Sequence, residues 1–278
     1  MKNLALIALL ALTIGFVGCK KDKDEADADT ESVSENAWAD AVYDDVSSIS
    51  DEGYNGTLES YKTMGNEKVL TTCASITFDT LTNPKSFTID FGSTDCLCKD
   101  GTYRRGKIIV SYVGRYRDSL SSHTITFDNF YSNSNKIEGT KTVVNNGRNS
   151  DGYLSYSVTV NGSIIWDSQT YGGGGTSTYN SSRTRVWTGG ESTATWLDDV
   201  YLISGTSSGI TRSGNAYSLV ITEPLKKEIG FRHFTDGTLE FTPAGKLVRI
   251  IDFGYLNGAR DNLARVTING VSFNIQLK

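Results

Sequence analysis

The residues best suited to chemistry are few, and each sits in a context that works against it. Gly205-Thr206-Ser207-Ser208-Gly209 has the Gly-x-Ser-x-Gly spacing of a nucleophile elbow. That motif acts where a strand turns sharply into a helix and exposes the serine beside a histidine and an acid. Here the flanks are strand-like on both sides, and only Glu223, Glu228 and His233 follow as partners, so a Gly/Ser hairpin loop is the expected role. Asp198-Asp199 is a carboxylate pair, and glycoside hydrolysis needs two acids about 5 to 9.5 Å apart across a cleft. Neighbours on a strand point to opposite faces, which separates this pair. Cys96-x-Cys98 with the isolated His123 and His233 falls short of the four ligands of a structural zinc site. Gly172 to Gly175 lacks the helix start and Lys-Ser/Thr pair of a phosphate cradle. The expectation is a protein with no catalytic residue, metal or cofactor. The densest positive patch is Arg104, Arg105, Lys107, Arg115 and Arg117, suited to an acidic glycan or to solvated strand edges that resist aggregation.

The chain has 278 residues and a net charge of −5, unevenly placed. Residues 20–52 hold 12 Asp+Glu against three Lys, whereas everything beyond residue 52 has 23 Lys+Arg against 20 Asp+Glu. A body this weakly basic does not imply a nucleic-acid partner. Met1, Lys2 and Asn3 precede an uncharged run from Leu4 to Phe16, the length of a signal-peptide core and short of the about 20 apolar residues of a membrane span. The run ends in Phe16-Val17-Gly18-Cys19, which resembles the lipobox of bacterial lipoproteins. That resemblance implies cleavage before Cys19 and lipid on its thiol. Each buried methylene contributes about 0.8 kcal/mol, so several acyl chains hold a protein on a membrane.

Residues 1–18 thus read as a signal peptide and 19–36 as a lipidated acidic tether, solvated because it has so little to bury. Trp38, Val42, Val46 and Ile49 recur at helical spacing and predict a short helix over 37–52. Residues 53–278 read as a single all-β domain of antiparallel meander and hairpin sheets, sandwich-like or a rolled half-barrel. The reason is period-two alternation, as in Phe87, Ile89 and Phe91 or Leu154, Tyr156, Val158 and Val160. Asn161-Gly162 and Asn269-Gly270 carry the dipeptide of type I′ hairpin turns, and Asp100-Gly101, Asp151-Gly152 and Asp236-Gly237 are near relatives. With 14 Tyr against 11 Phe, one sheet face is expected to be wet. Two segments recur: Ser75-Ile76-Thr77-Phe78 through Asp90-Phe91-Gly92 is echoed by Thr238-Leu239-Glu240-Phe241 through Asp252-Phe253-Gly254, and Ile137-Glu138-Gly139-Thr140 by Ile203-Ser204-Gly205-Thr206. Repeated hairpin units of this kind suggest growth by duplication.

With Cys19 assigned to lipid, Cys73, Cys96 and Cys98 remain. Cys96 and Cys98 are too close to bridge each other, so Cys73 pairs with Cys96 or Cys98, Cys96 being preferred; closing about 24 residues contributes roughly 3 kcal/mol. The run from Cys73 through Asp90-Phe91-Gly92, Cys96, Asp100-Gly101 and Arg104-Arg105-Gly106-Lys107-Ile108 to Thr140, with the later Asp252-Phe253-Gly254, resembles a family of uncharacterised Bacteroidota lipoproteins. The resemblance implies an envelope location and no particular chemistry. The acidic run after Cys19 similarly resembles an export signal to the outer face of the outer membrane, so surface display is expected in preference to the periplasmic face. The expected function is a lipid-anchored structural or binding module, partnered by the membrane and by a glycan or another envelope component. A glycan-directed hydrolase and a periplasmic lipid carrier are the alternatives. Candidate ligand-facing residues are Trp166, Trp187, Trp196, Arg104 and Arg105.

Overall fold

The computed structural model describes residues 31–55, 74–170, 174–193, 195, 198–231 and 233–277; Cys19, Cys73 and Trp196 lie outside them. One helix, α1 (Glu31–Asn55), precedes fourteen strands. These are β1 (Ser75–Asp79), β2 (Lys85–Asp90), β3 (Cys96–Leu97), β4 (Tyr103–Val113), β5 (Ser122–Ser132), β6 (Asn135–Arg148) and β7 (Leu154–Trp166). β8 (Gly175–Gly189), β9 (Val200–Ile210), β10 (Ala216–Glu228), β11 (Asp236–Pro243), β12 (Arg249–Asp252), β13 (Leu263–Ile268) and β14 (Val271–Gln276) follow. The fold is mostly β: one antiparallel meander sheet that does not close, running β1-β2-β4 and then in chain order to β14, with β3 added beside β4. Apart from β3, each strand pairs antiparallel with the next along the chain. At the last hairpin Asn269 and Gly270 both take positive φ, 48° and 78°, as a type I′ turn requires.

α1 lies across one face of this sheet. At its C-terminal end Tyr54 packs on Phe87, Tyr112 and His123 of β2, β4 and β5. Near its N-terminal end Asn36 meets Ser207 of β9, and Val33 joins the cluster containing Tyr217, Leu219 and Ile221 of β10. The dimensions agree: 25 residues span about 37 Å at 1.5 Å each, and the seven strand spacings from β2 to β10 about 34 Å. Gly53 permits the close approach at the far end, since a Cβ there would stand 2.8 Å from Ile89 Cδ1. The apolar core lies under the helix, where Val42, Tyr43, Val46 and Ile49 meet Ile89, Ile108, Val110 and Ile125. A second cluster joins β9 to β13, and a third, around Tyr156, Val158, Trp187 and Tyr201, fills the centre of the sheet.

Three local expectations are revised. The helix starts at Glu31, so the last six residues of the expected tether, 31–36, belong to it. Val33 and Glu35 are buried there because Val33 joins the cluster with β10 and Glu35 accepts from Arg212 in the turn between β9 and β10. Asn161-Gly162 is not a turn but lies inside β7, where Gly162 leaves room for the Tyr43 ring. Gly205 to Gly209 lies inside β9 rather than in a loop. Gly205 is needed there, since its φ is +123° and a Cβ would stand 2.2 Å from the Ser182 carbonyl oxygen.

The recurring segments adopt recurring geometry. Gly92 N–H donates to Asp90 at 2.8 Å and Gly254 N–H to Asp252 at 2.9 Å, giving both Asp-Phe-Gly elements the same local turn. Gly139, the counterpart of Gly205, likewise has a φ of +111° and faces the Asn161 carbonyl of the next strand.

Candidate functional site

The helix-bearing face of the sheet carries cations, and the helix brings acids to meet them. Alternation along β8 turns Tyr179, Ser181, Arg183, Arg185 and Trp187 toward α1, and β6 supplies Lys141 from the same face. The Asp40 carboxylate accepts from the Tyr179 hydroxyl and lies 3.4 Å from Arg183 Nη2. Lys141 Nζ donates to the Tyr43 carbonyl at 2.8 Å and lies 3.5 Å from Asp44. Tyr43 stacks on Tyr179 with ring centres 5.6 Å apart, and its hydroxyl donates to the Glu138 carbonyl at 2.8 Å. Toward the helix ends the pattern continues, with Glu35 on Arg212 at 2.8 Å and Asp45 on Arg104 at 2.6 Å.

Between α1 and the sheet these groups enclose a cavity of about 40 Å³. Its charged wall is Asp40, Asp44, Lys141, Arg183 and Arg185, and its apolar wall Val158, Val160, Ile203, Ile221, Leu225 and Phe234. Burial pushes the Asp40 carboxyl up against the opposing pull of Arg183. Burial also acts on Asp44, but Lys141, Arg185 and Lys227 together draw it below its ordinary value. The Lys141 side chain is 2% exposed against 40% for Asp44, so the ammonium bears the desolvation and is depressed. Arg185 differs from its neighbours: its guanidinium stacks 3.8 Å over the Tyr201 ring and makes no hydrogen bond or ion pair among the described residues. Its Nε and the Nη1 of Arg183 are buried without a hydrogen-bond partner. A second, water-sized space of about 10 Å³ lies on the other side of Arg185, beside Asp51, Tyr116 and His123.

The residues singled out in the sequence sit elsewhere or play other parts. Trp166 and Trp187 are buried, 4% and 3% exposed, rather than displayed. Trp166 packs on Trp38 and donates to Ser177 at 2.8 Å, and Trp187 stacks on Tyr201. Arg104 is 1% exposed and tied to Asp45 and Asp100, so it faces the helix and not solvent. Arg105 is partly exposed, paired with Asp95 at 2.7 Å and lying over Tyr131. Ser207 is buried, its hydroxyl 3.4 Å from Asn36 Oδ1. Asp198 and Asp199 precede β9; Asp199 is buried, and Asp198 is exposed and accepts from Thr193. Cys96 is buried, and Cys98 is a free, buried thiol.

Asp40, Asp44, Lys141, Arg183 and Arg185 drew no attention in the sequence. A signal was present in Arg183-Thr184-Arg185, two cations on one face of a strand, and in acids spaced four apart on a helix. Among the described residues no helix is long and apolar enough to cross a membrane. Comparisons with protein-family models, with curated proteins and with solved structures find no match.

Proposed function

We propose that this chain is a lipid-anchored cell-envelope binding module whose ligand site is the cavity between α1 and β8. The anchoring half of the reading rests on the uncharged Leu4–Phe16 run ending at Cys19, and the location it implies is the outer membrane. The binding half is carried by one observation: Arg183 and Arg185, which line the cavity, each hold a buried guanidinium nitrogen that lacks a partner. A buried donor left unmade costs about 1–3 kcal/mol, so an arrangement that keeps two of them beside an apolar wall is better suited to receiving a ligand than to stability alone. The pairing of Cys96 with Cys73 completes the proposal and ties the segment before β1 to the β3 region.

Mass spectrometry of the intact chain tests the reading. The expected result is a diacylglyceryl modification on Cys19, loss of membrane association in Cys19→Ala, a Cys73–Cys96 peptide under non-reducing conditions, and a small molecule retained under native conditions. An unmodified, membrane-bound Cys19→Ala chain overturns the anchor, and a chain that retains and captures nothing overturns the binding module.

A further inference from the structure

We infer that the cavity between α1 and β8 takes an aliphatic monocarboxylate, its carboxylate on Arg185 and Arg183 and its hydrocarbon against Ile203, Ile221, Leu225 and Phe234. This deepens the binding-module reading and rests on it.

Three features converge. The first is charge. Of the three cations at the cavity, Lys141 has Asp44 at 3.5 Å and Arg183 has Asp40 at 3.4 Å, but Arg185 has no carboxylate within ion-pair distance among the described residues. Its aromatic neighbour Tyr201 accepts the guanidinium face and leaves the edge donors for another group. Asp44 and Asp51 act on it only from beyond ion-pair distance, so an anion entering here gains a direct ion pair with a buried cation.

Donor geometry is the second. A carboxylate is planar and takes two N–H donors, and the partnerless buried donors on the residues lining the cavity number two, Nε of Arg185 and Nη1 of Arg183, two residues apart on the same face of β8. A phosphate brings more oxygens than these donors satisfy and more charge than one unpaired arginine balances.

The third is the apolar part of the lining, which is hydrocarbon and one aromatic ring. Such a surface gives no partner to polar atoms and gains from a methylene chain, about 0.8 kcal/mol per buried CH₂ by transfer. The cavity of about 40 Å³ compares with about 10–15 Å³ for one water by the same kind of measure, which suits a carboxylate and the first carbons of its chain.

An aliphatic carboxylate can arrive as a short free acid or as the long-chain acid of a bilayer, and chain length separates the sources. The test is calorimetric titration of the intact chain in lipid nanodiscs, with empty nanodiscs subtracted, using acetate, hexanoate, laurate, hexanol and inorganic phosphate. Hexanoate is expected to bind at least about ten-fold tighter than hexanol or phosphate, and Arg185→Gln to lose at least about ten-fold of that affinity. Laurate binding tighter than hexanoate assigns the bilayer source, and weaker laurate binding the soluble one. No carboxylate binding, equal binding of hexanol or phosphate, or undiminished binding by Arg185→Gln overturns the inference. Should that variant not fold, phenylglyoxal labelling of the native chain replaces it: hexanoate, and not hexanol, shields Arg183 and Arg185, and unshielded arginines overturn the assignment. A retained molecule of another chemistry, not displaced by hexanoate, leaves the binding module standing and ends only the carboxylate assignment.

Discussion

Asp51 and His123 face the same water-sized space yet titrate in opposing senses. Burial raises the Asp51 carboxyl to about 6, against the pull of Arg185 and Lys141, and lowers His123 to about 4. Tyr116, Arg185, Ser47, Ser50, Ile125 and Val143 complete the wall around them. For Asp51 the folded state holds a proton that the unfolded chain releases, so its contribution is fully present below the ordinary carboxylate value and is lost as pH rises through about 6. For His123 the unfolded chain takes the proton first, so its contribution is present above the ordinary histidine value and is lost as pH falls toward about 4. Each amounts to about 3 kcal/mol at most, and over the shared interval the two offset. Urea titrations at stepped pH are expected to separate them. Relative to the native chain, Asp51→Asn gains stability near neutrality and loses that advantage as pH falls below about 6, whereas His123→Phe gains its advantage as pH falls toward about 4. Differences independent of pH would remove both groups from the account. Neither environment is readable from local sequence: the alternation that marks His123 as a strand residue says nothing of the helix lying over it.

At the scale of elements, the central relation is between α1 and β4 to β10. The acids at Glu35, Asp40, Asp44 and Asp45 make pairs with Arg212, Arg183, Lys141 and Arg104, each on a different connection or strand. Arg104 is the tightest case, with Asp100 accepting from it at 2.9 and 2.6 Å and Asp45 at 2.6 Å. Replacing it by Met leaves two part-buried carboxylates facing each other without their cation. The expected loss is about 3 kcal/mol, at the lower end for a broken buried pair because both acids retain some solvent. A urea midpoint that implies less than about 0.5 kcal/mol would show that Arg104 does not couple helix to sheet. Periodicity found the middle of this helix because Trp38, Val42, Val46 and Ile49 are apolar on one side. It missed the first turns because their reason for being helical is tertiary: Val33 and Glu35 are held by β10 and by Arg212 in the turn after β9, which no local pattern contains. The same blindness turned Asn161-Gly162 into a turn, since the dipeptide favours one and only the Tyr43 ring explains the glycine in mid-strand.

Considered whole, the molecule is an open sheet whose two edges, β1 and β14, have no strand partner on their outer sides among the described residues. Antiparallel alternation made the all-β class legible, because a sheet with one covered face and one wet face writes a period of two into every strand. What covered the face was legible only in part: a helix was expected over 37–52, but Glu31 and Glu35 of the expected solvated spacer also belong to the 25-residue helix. Four of the helix acids, Glu35, Asp40, Asp44 and Asp45, meet four cations of the body across one docking surface. This changes what the segment must do in solution. A tether exchanges its amide hydrogens at the rate of an unfolded chain, whereas a helix sealed against the sheet opens only with the elements that hold it. Amide exchange of the intact chain should therefore show residues 36–50 protected together with β6, β7 and β8, and β1 and β14 exchanging first. In Arg104→Met the C-terminal turns of α1 should lose protection before the turns around Asp40, because Asp45 is the contact removed. If residues 36–50 instead exchange within seconds while β6 to β8 stay protected, the helix is not part of the folded unit. The cavity it closes would then not persist as a site, because Asp40, Tyr43 and Asp44 form one of its walls.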